Sequence, residues 1–347
     1  MINLSQRIQA FHNLGNAIGE YIDSPESEHS SWLRNAVHLA GAKNGWFTER
    51  EVHHALKYWS NTLKTSSLQE FVNDYTVTDS VTYSVGLIMA GNIPMVGFHD
   101  VLCVLLSGNS VVIKCSTSDD VLIPALLHKL TEIEPDLQST IKISTGKLEG
   151  YDAVIATGSN NTARHFEYYF SRVPHIIRKN RTGIAVLNGD ETMEELEGLM
   201  EDCFRYYGLG CRNVTKLYLP ANYDLNRIFE ASLPFSYLMD NKKYANNHTY
   251  YKALMMLERK PFLENDLIVL HESESLYSPV SILNYEIYQD QDHLTQVIES
   301  QLDQLQCVVG HKNRPFGTAQ RPELNDFADG VNTLYFLSNL AAQRLPN

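Results

Sequence analysis

The spacing of apolar residues divides the chain into a helical beginning and a long remainder in which strands and helices alternate. Residues 1–68 carry apolar side chains at helical intervals, and Thr48 and Glu51 have the spacing of a capping box at a helix start. The pattern changes near Thr76. Residues 83–90 form a continuous apolar run followed by a glycine and a proline, which is typical of a strand buried on both faces.

Strands and helices then alternate twice along the chain. The first series predicts helices at 98–106 and 119–133 and strands at 110–114, 141–144 and 153–156. Two further strands are predicted at 175–179 and 183–187, followed by a helix near 193–204 and a strand at 216–220. Past residue 216, the second series predicts strands at 267–270, 280–288 and 307–310, with helices near 240–257 and 292–305. Because strand–helix–strand units form parallel sheets, we predict an α/β protein with two doubly wound domains and a cleft between them.

We expect four parts along the chain. They are an N-terminal helical region (1–75), a dinucleotide-binding domain (76–190), a catalytic domain (191–310) and a C-terminal segment returning toward the cleft (311–347). Ligands of such domains bind beyond the carboxyl ends of the strands, so candidate chemistry is sought at those ends.

Composition and charge exclude several classes of function. The 347 residues include 41 acidic and 28 basic side chains, and the net charge of -13 disfavours binding to nucleic acid or anionic membranes. The five cysteines form no C-x-x-C pair and no cluster with metal-ligand spacing, which favours a reducing compartment and predicts no metal site. No apolar run reaches membrane-spanning length, so we expect a cytoplasmic protein without membrane insertion.

Cys211 is the first candidate for chemistry. It follows Gly208 and Gly210, which end a helical pattern and allow a tight turn before a strand. Arg212 beside it favours the thiolate, the form that acts as a nucleophile. The alternative is a small hydrophobic residue in a tight loop. Cys203 differs, because it shares an apolar helix face and is expected in the core.

A second candidate is the turn at residues 157–159, where a predicted strand ends. Gly158 allows close backbone approach to a ligand, and Ser159 or Asn160 can cap the next helix, whose free N–H groups attract a phosphate. A plain strand-to-helix cap is the alternative. The chain contains neither the G-x-G-x-x-G nor the Walker motif.

Five motifs together resemble a known family. In chain order they are residues 91–94 (Gly-Asn-Ile-Pro), 108–114, 157–159, the Cys211 turn and 314–317 (Arg-Pro-Phe-Gly). In this order they resemble the aldehyde dehydrogenase superfamily, and most closely the fatty acyl-CoA reductases of bacterial luminescence systems. The resemblance extends from about residue 81 to the C-terminus and implies an aldehyde dehydrogenase-like fold.

The resemblance implies roles for individual residues. It makes Cys211 the nucleophile, with the basic Lys216 five positions later, and Asn92 the side-chain donor of an oxyanion hole that also includes the cysteine N–H. It also implies contacts with a nicotinamide cofactor: Lys114 with the adenosine ribose, Gly158 and Ser159 near the diphosphate, and Ser116, Thr117 and Phe316 as further cofactor-binding residues.

Three departures from the superfamily pattern refine this picture. Residues 176–181 contain no carboxylate, whereas aldehyde-oxidising members have there the glutamate that activates water. After Cys115, residues 116–118 have small hydroxyl side chains where NAD-preferring members have an acidic residue, which favours NADPH and leaves NADH as the alternative. Ser275 stands where a ribose-binding glutamate is usual.

We therefore expect an acylating enzyme that reduces an acyl-CoA thioester to an aldehyde through a cysteine acyl-enzyme and a thiohemiacetal. An acyl-phosphate reductase of the same superfamily is one alternative, and a non-catalytic binding protein on the same scaffold is another. The expected partner is acyl-CoA or another acyl carrier. The oligomeric state, including a homo-oligomer, stays open.

Overall fold

The computed structural model describes residues 2–75, 77, 79 and 83–343. It groups the chain into two compact units, Met1–Lys179 with Glu323–Asn347, and Asn180–Pro322. Residue 76, at which the predicted dinucleotide-binding domain begins, and residue 81, at which the family resemblance begins, lie outside the described residues. The predicted four-part division stays a prediction.

The first unit begins with four helices, which confirms the helical interpretation of the N-terminal region. They are α1 (Leu4–Asp23), α2 (Ser31–Lys43), α3 (Glu49–Thr62) and α4 (Thr65–Val72). Thr48 is the residue before α3, where the sequence predicted a helix start. Phe11 of α1 and Trp59 of α3 both pack edge-on against Phe98, with ring centroids 6.3 Å and 4.8 Å away. These aromatic contacts attach the N-terminal helices to the α/β part of the unit.

A five-stranded parallel sheet forms the centre of the first unit. Its spatial order is β3-β2-β1-β4-β5, from β1 (Ser84–Ile88), β2 (Ser110–Lys114), β3 (Ile141–Ile143), β4 (Ala153–Thr157) and β5 (His175–Arg178). Helices α5 (Phe98–Leu106), α6 (Leu122–Ile133) and α7 (Asn160–Tyr169) connect the strands. The chain builds outward from β1 in both directions, so the switch in strand order lies between β1 and β4, the place where doubly wound sheets bind ligands.

The register of β1 aligns the strand ends that carry the candidate residues. Ile88 pairs with Lys114 of β2 on one side and with Ala156 of β4 on the other. Val85 and Leu87 on one face of the strand are at most 1 % exposed, and Gly86 on the other face is buried beneath Leu148, so both faces are covered. The continuous apolar run in the sequence is therefore a doubly buried central strand, as predicted.

The second unit contains a six-stranded sheet in the order β11-β6-β7-β10-β9-β8. Its strands are β6 (Thr182–Val186), β7 (Val214–Leu219), β8 (Leu263–Glu264), β9 (Val269–Glu272), β10 (Ile282–Ile287) and β11 (Leu305–Val309). The pairings are parallel except that of β8 with β9. The two-residue β8 was not predicted, since so short a segment carries no periodic signal.

Helices α8 (Met193–Phe204), α9 (Asn226–Ser232), α10 (Lys242–Leu257) and α11 (Gln291–Ser300) complete the second unit. At the start of α8, the N–H of Glu195 donates to Thr192 Oγ1 over 3.2 Å, and the N–H of Thr192 donates to Glu195 Oε2 over 2.7 Å. Cys203 is 2 % exposed on the inner face of this helix, which confirms its assignment to the core.

Two short helices, α12 (Thr333–Ser338) and α13 (Leu340–Gln343), lie in the C-terminal segment of the first unit. The structure thus confirms an α/β protein with two sheets, one parallel and one parallel except for the edge strand β8. Among the helices described, none is long and apolar enough to cross a membrane.

Candidate active site

The predicted site residues fall into two sets, one in each unit. Asn92, Lys114, Ser116, Thr117, Gly158 and Ser159 belong to the first unit, and Cys211, Lys216 and Phe316 belong to the second. Within the first unit, all six lie at or just beyond the carboxyl ends of β1, β2 and β4, which are neighbouring strands. The structure therefore brings the first set together at one sheet edge.

The turn after β1 packs closely against the turn after β2. A Cβ atom on Gly91 would lie 2.6 Å from Ser116 Oγ and 3.1 Å from the backbone nitrogen of Asp119, closer than van der Waals contact allows. Glycine is required at position 91 because only backbone without a side chain fits there. Asn92 is exposed on this turn, directly beside the loop that contains Ser116.

The residues after β2 present polar groups to solvent. Lys114 is the exposed last residue of β2, and Thr117 is exposed directly after the half-buried Ser116. The Oγ of Ser116 accepts a hydrogen bond from the N–H of Ser118 over 3.2 Å, so this hydroxyl helps to shape its own turn. An ammonium group followed by two small hydroxyl groups is a donor set suited to ribose and phosphate oxygens.

The turn after β4 has the geometry of a strand-to-helix cap. Ser159 Oγ accepts from the N–H of Thr162 over 3.3 Å, and α7 begins at Asn160. The half-exposed Gly158 has no room for a side chain, since a Cβ atom would lie 2.9 Å from Thr162 Cβ. Of the two predicted cap candidates, Ser159 is the one that caps α7, and the N–H groups at the start of α7 lie at the carboxyl edge of the sheet. The predicted contact of Ser159 with a cofactor stays a prediction.

Cys211 lies on a turn built from unusual backbone conformations. Tyr206, Tyr207 and Gly208 have φ values of 56°, 58° and 75°, so three successive residues adopt the left-handed region between α8 and the turn. This region is costly for tyrosine, and the packing of both rings at no more than 6 % exposure holds them in place. The cysteine itself is half-buried.

Asn213 fixes this turn from inside. Its side-chain Oδ1 accepts from the N–H of Gly210 over 2.7 Å, and its Nδ2 donates to the carbonyls of Asp202, Cys203 and Arg205 over 2.9–3.1 Å. The residue is fully buried. One amide therefore satisfies the last carbonyls of α8 and at the same time fixes the backbone next to Cys211.

Burial affects the thiols of the other four cysteines. Burial raises the pKa of the Cys103 and Cys203 thiols well above the ordinary value, that of Cys115 to about 11 and that of Cys307 to about 12. These four side chains are neutral thiols near pH 7 and are poor nucleophiles. Cys211 is left as the candidate nucleophile.

Lys216 is engaged inside the second unit. Its side chain is fully buried, and Nζ donates to the carbonyl of Ser273 over 2.7 Å and forms an ion pair with Glu286. Nζ also lies 5.1 Å from the ring centroid of Tyr218. These contacts give the lysine a structural role in the sheet, and its predicted relation to the nucleophile stays a prediction.

Phe316 lies on a loop that is attached to α8. Its ring packs edge-on against that of His311, with centroids 5.6 Å apart. The N–H of Gly317 donates to Asp202 Oδ2 over 2.7 Å, and the N–H of Ala319 donates to Asp202 Oδ1 over 2.8 Å. Burial raises the pKa of Asp202 to about 7. The buried carboxylate thus holds the backbone on the C-terminal side of Phe316.

The segment 176–181, which lacks a carboxylate in the sequence, is occupied by basic side chains with partners. Arg178 Nη2 donates to Asp100 Oδ1 over 2.6 Å, and Lys179 Nζ lies 2.8 Å from Glu167 Oε1. Ser275, at the position of the usual ribose-binding glutamate, is exposed and donates its hydroxyl to the carbonyl of Tyr277 over 2.9 Å. In the described part of the chain, no three His, Cys, Asp or Glu side chains come together as a metal site requires.

Sequence reasoning missed Asn213, Asp202 and Asp119, the last of which accepts from the N–H of Met95 at the Asn92 turn. Asp202 and Asp119 bond to residues distant in the chain, so no local pattern reveals them. The role of Asn213 could have been predicted from the sequence, because the side chain of an asparagine just after a glycine turn often forms hydrogen bonds with nearby backbone groups.

Comparison with known families tests the interpretation of these motifs. Residues 73–243, just under half of the chain, match the family model described as acyl-CoA reductase (LuxC). The predicted resemblance to acyl-CoA reductases is confirmed. The matched stretch includes Asn92, Lys114, Gly158 and Cys211. No curated protein matches the chain.

Solved aldehyde dehydrogenases share the fold of this chain. An NAD-dependent benzaldehyde dehydrogenase from Corynebacterium glutamicum superposes with a TM-score of 0.66 at 13% identity, over 97% of this chain and 84% of that one. An aldehyde dehydrogenase from Bacillus cereus in complex with NAD+ gives 0.61 at 10% identity, over 89% and 72%. Aldehyde dehydrogenase C from Pseudomonas syringae, in complex with NAD+ and octanal, gives 0.61 at 11% identity, over 85% and 70%. These likenesses confirm the aldehyde dehydrogenase-like fold.

Proposed function

We propose that this protein reduces an acyl-CoA thioester to an aldehyde with NAD(P)H, through an acyl group carried on Cys211. The acyl-CoA reductase match and the aldehyde dehydrogenase-like fold support an oxidoreductase that acts on acyl or aldehyde groups. The observation that carries the finer proposal is the Cys211 turn. A half-buried thiol stands on a turn fixed by a buried asparagine, while the other four thiols are held neutral.

In the first step, the Cys211 thiolate attacks the thioester carbonyl. The Asn92 amide and the backbone N–H of Cys211 donate to the developing oxyanion, and each such donor lowers the barrier by about 3–4 kcal/mol. The carbon–sulfur bond to CoA breaks, CoA leaves as a thiolate that takes up a proton, and the acyl group stays on Cys211.

The segment 176–181 favours reduction over hydrolysis of this acyl-enzyme. Its charged side chains are arginine and lysine, and Arg178 and Lys179 are held by Asp100 and Glu167. No carboxylate of this segment is present to activate a water molecule, so the thioester persists until it is reduced.

The carboxyl edge of the first sheet fits a nicotinamide dinucleotide. Lys114 and Ser116 offer donors for the adenosine ribose, and the narrow turn at Gly158 with the start of α7 fits a diphosphate. Thr117 and Ser116 leave room for a 2′-phosphate, which favours NADPH, with NADH as the alternative. When bound, the cofactor supplies the hydride that converts the acyl thioester to a thiohemiacetal. Cys211 then leaves as thiolate and releases the aldehyde.

We further propose that the protein acts in the cytoplasm on a fatty acyl-CoA or another acyl carrier. The four other neutral thiols and the strong negative charge agree with a reducing compartment and a small-molecule substrate.

A steady-state assay of Cys211→Ser tests the proposal. We expect acyl-CoA-dependent NADPH oxidation to fall by at least about 1,000-fold, since a hydroxyl is a far weaker nucleophile at neutral pH. NADPH affinity, measured by fluorescence titration, should change less than about twofold. Cys203→Ala, which alters a buried thiol on α8, is the control and should retain activity.

The choice of substrate separates the proposal from its nearest alternative. Wild-type protein that turns over an acyl phosphate and not acyl-CoA would assign the acyl-phosphate reductase function. Wild-type rates retained by Cys211→Ser would exclude the cysteine mechanism altogether.

A further inference from the structure

Asp119 is a buried carboxylate outside the residues assigned to catalysis so far. It follows β2 and the Ser116 loop, is 4 % exposed, and accepts a hydrogen bond at Oδ2 from the N–H of Met95 over 2.7 Å. The backbone N–H of Leu122, the first residue of α6, also favours the ionised form of the carboxylate. The group therefore lies between the turn after β1 and the start of α6.

The turn that Asp119 holds is conformationally demanding. Met95 has a φ of 56°, in the left-handed region that a methionine rarely adopts. A charge-assisted hydrogen bond to its N–H is stronger than a neutral one and offsets this cost. The same turn carries Asn92, and its Gly91 is packed against Ser116 and the backbone of Asp119.

We propose that Asp119 is a positioning residue, which fixes the 91–95 turn so that the Asn92 amide can donate to the oxyanion. The same carboxylate holds that turn against the cofactor-binding Ser116 loop. The inference rests on the proposed function, in which Asn92 stabilises the oxyanion. It assigns to one carboxylate the link between the Asn92 turn and the Ser116 loop, both of which belong to the first unit.

The negative charge of Asp119 distinguishes a positioning residue from a side chain that only fills space in the core. Within the described residues, Oδ1 has no hydrogen-bond partner, so the buried charge is costly and a neutral residue would serve a purely structural purpose better. Burial raises the pKa of Asp119 to about 6, so it is ionised at pH 7 and takes up a proton as the pH falls through that value. The neighbouring titratable and charged groups are Cys115, whose thiol is neutral, Asp120, and Lys43, which lies 3.0 Å from Asp120.

The kinetic test uses Asp119→Asn and Asp119→Glu, with Asp120→Asn as the matched control. Asp120 is the adjacent carboxylate and contacts the exposed Lys43 instead of the turn. We expect Asp119→Asn to lower kcat with acyl-CoA by about 10- to 100-fold with KM values changed much less, because misplacing a catalytic donor by about 1 Å has effects of that size. Asp119→Glu should retain part of the activity, and the control should retain nearly all.

Two further readouts separate positioning from general stability. The ratio of wild-type to Asp119→Asn kcat should shrink as the pH falls through about 6, since the protonated wild type then resembles the variant. In the Asn92→Ala background, Asp119→Asn should lower kcat less than about twofold, because a residue that acts through Asn92 has no effect without it. A constant ratio from pH 5 to 8, or equal losses in both backgrounds, would overturn the inference.

A measurement without turnover keeps the inference separate from the proposed function. Amide hydrogen exchange of Met95 should be about fivefold faster or more in Asp119→Asn, because a charge-assisted hydrogen bond is lost, and unchanged in Asp120→Asn. Protection equal to that of the wild type would reject the Asp119 role. If the wild type fails to reduce acyl-CoA, the proposed function is rejected, and the exchange result alone decides the inference.

Discussion

Asn213 shows how one buried side chain can determine the geometry of a candidate nucleophile. Its amide bonds to one N–H and three carbonyls around the Cys211 turn, so it uses both ends of the side chain. Left-handed residues precede the turn, and hydrogen bonds from inside are needed to hold such a backbone in one conformation. The position of Cys211 thus depends on a residue two positions later that takes no part in the chemistry.

We predict that Asn213→Ala destabilises the protein by about 2–4 kcal/mol, because several buried backbone groups lose their partner at once. Acyl-CoA-dependent activity should also fall by about tenfold or more as the turn loosens. Urea denaturation and the steady-state assay measure the two effects. Asn188→Ala, at an exposed asparagine that caps the turn after β6, is the control and should cost no more than about 0.5 kcal/mol.

At the scale of elements, Asp202 attaches the loop of Phe316 to helix α8. Both carboxylate oxygens accept backbone N–H groups of that loop, and Gly198 of α8 lies so close to the loop that a Cβ atom would reach within 3.1 Å of the Gly317 nitrogen. Helix and loop therefore pack backbone against backbone. A buried carboxylate in this place makes the attachment sensitive to pH.

The direction in which stability changes with pH follows from the raised pKa of Asp202. Because burial raises the pKa of Asp202 from its ordinary value of 3.8 to about 7, the folded protein binds the proton more tightly than the unfolded chain does. This contribution to stability is fully present below about pH 4 and is lost as the pH rises to about 7.

We therefore predict that Asp202→Asn removes part of the fall in unfolding free energy between pH 4 and 7. Urea denaturation of wild type and variant across this range gives the difference. Glu197→Gln makes the same charge change on the exposed face of α8 and should leave the pH dependence unchanged. Parallel curves for wild type and Asp202→Asn would show that Asp202 is not the group responsible.

At the scale of the whole chain, the C-terminal segment returns to complete the first unit. Arg178, at the end of β5, donates to Asp100 of α5, to the carbonyl of Ala328 and to the hydroxyl of Thr333 over 2.6–2.9 Å. His99 lies 2.7 Å from the carbonyl of Leu324 through its Nε2. One buried guanidinium thus joins the sheet, a helix and residues about 150 positions later in the chain.

We predict that Arg178→Ala destabilises the first unit by about 3–5 kcal/mol, since it leaves the Asp100 carboxylate buried without its partner. The C-terminal segment should become susceptible to limited proteolysis, followed by mass analysis of the fragments. Lys179→Ala removes the next basic residue, whose ion pair with Glu167 is about half exposed, and should cost less than about 1 kcal/mol. Equal protease resistance of wild type and Arg178→Ala would contradict the role of Arg178.

The sequence predicted most of the two sheets because their strands are short apolar runs with clear ends. It placed one strand at 267–270, yet β9 spans Val269–Glu272. The Asn265 side chain accepts from the N–H groups of Leu267 and Ile268, which therefore belong to a turn. The predicted helix near 292–305 ends at Ser300, before a short 3-10 turn leads into β11.

The candidate site was predicted only in part, for a physical reason. Cys211, Gly158 and Asn92 lie in turns whose glycines and polar residues are visible locally. Asp119 and Asp202 are aspartates like any other in the sequence, and their roles arise from hydrogen bonds to Met95 and Gly317, which lie 24 and 115 positions away. Such contacts depend on the fold, so a reading of local pattern cannot supply them.

The most direct test of the central claim is detection of the acyl group on Cys211. The protein is incubated with an acyl-CoA without cofactor and analysed as intact protein and as peptides by mass spectrometry. We predict one acyl group per chain, located on Cys211, with release of an equal amount of CoA, and no adduct in Cys211→Ser. An unmodified chain, or an acyl group found on another residue in both proteins, would contradict the proposal that Cys211 carries the acyl group.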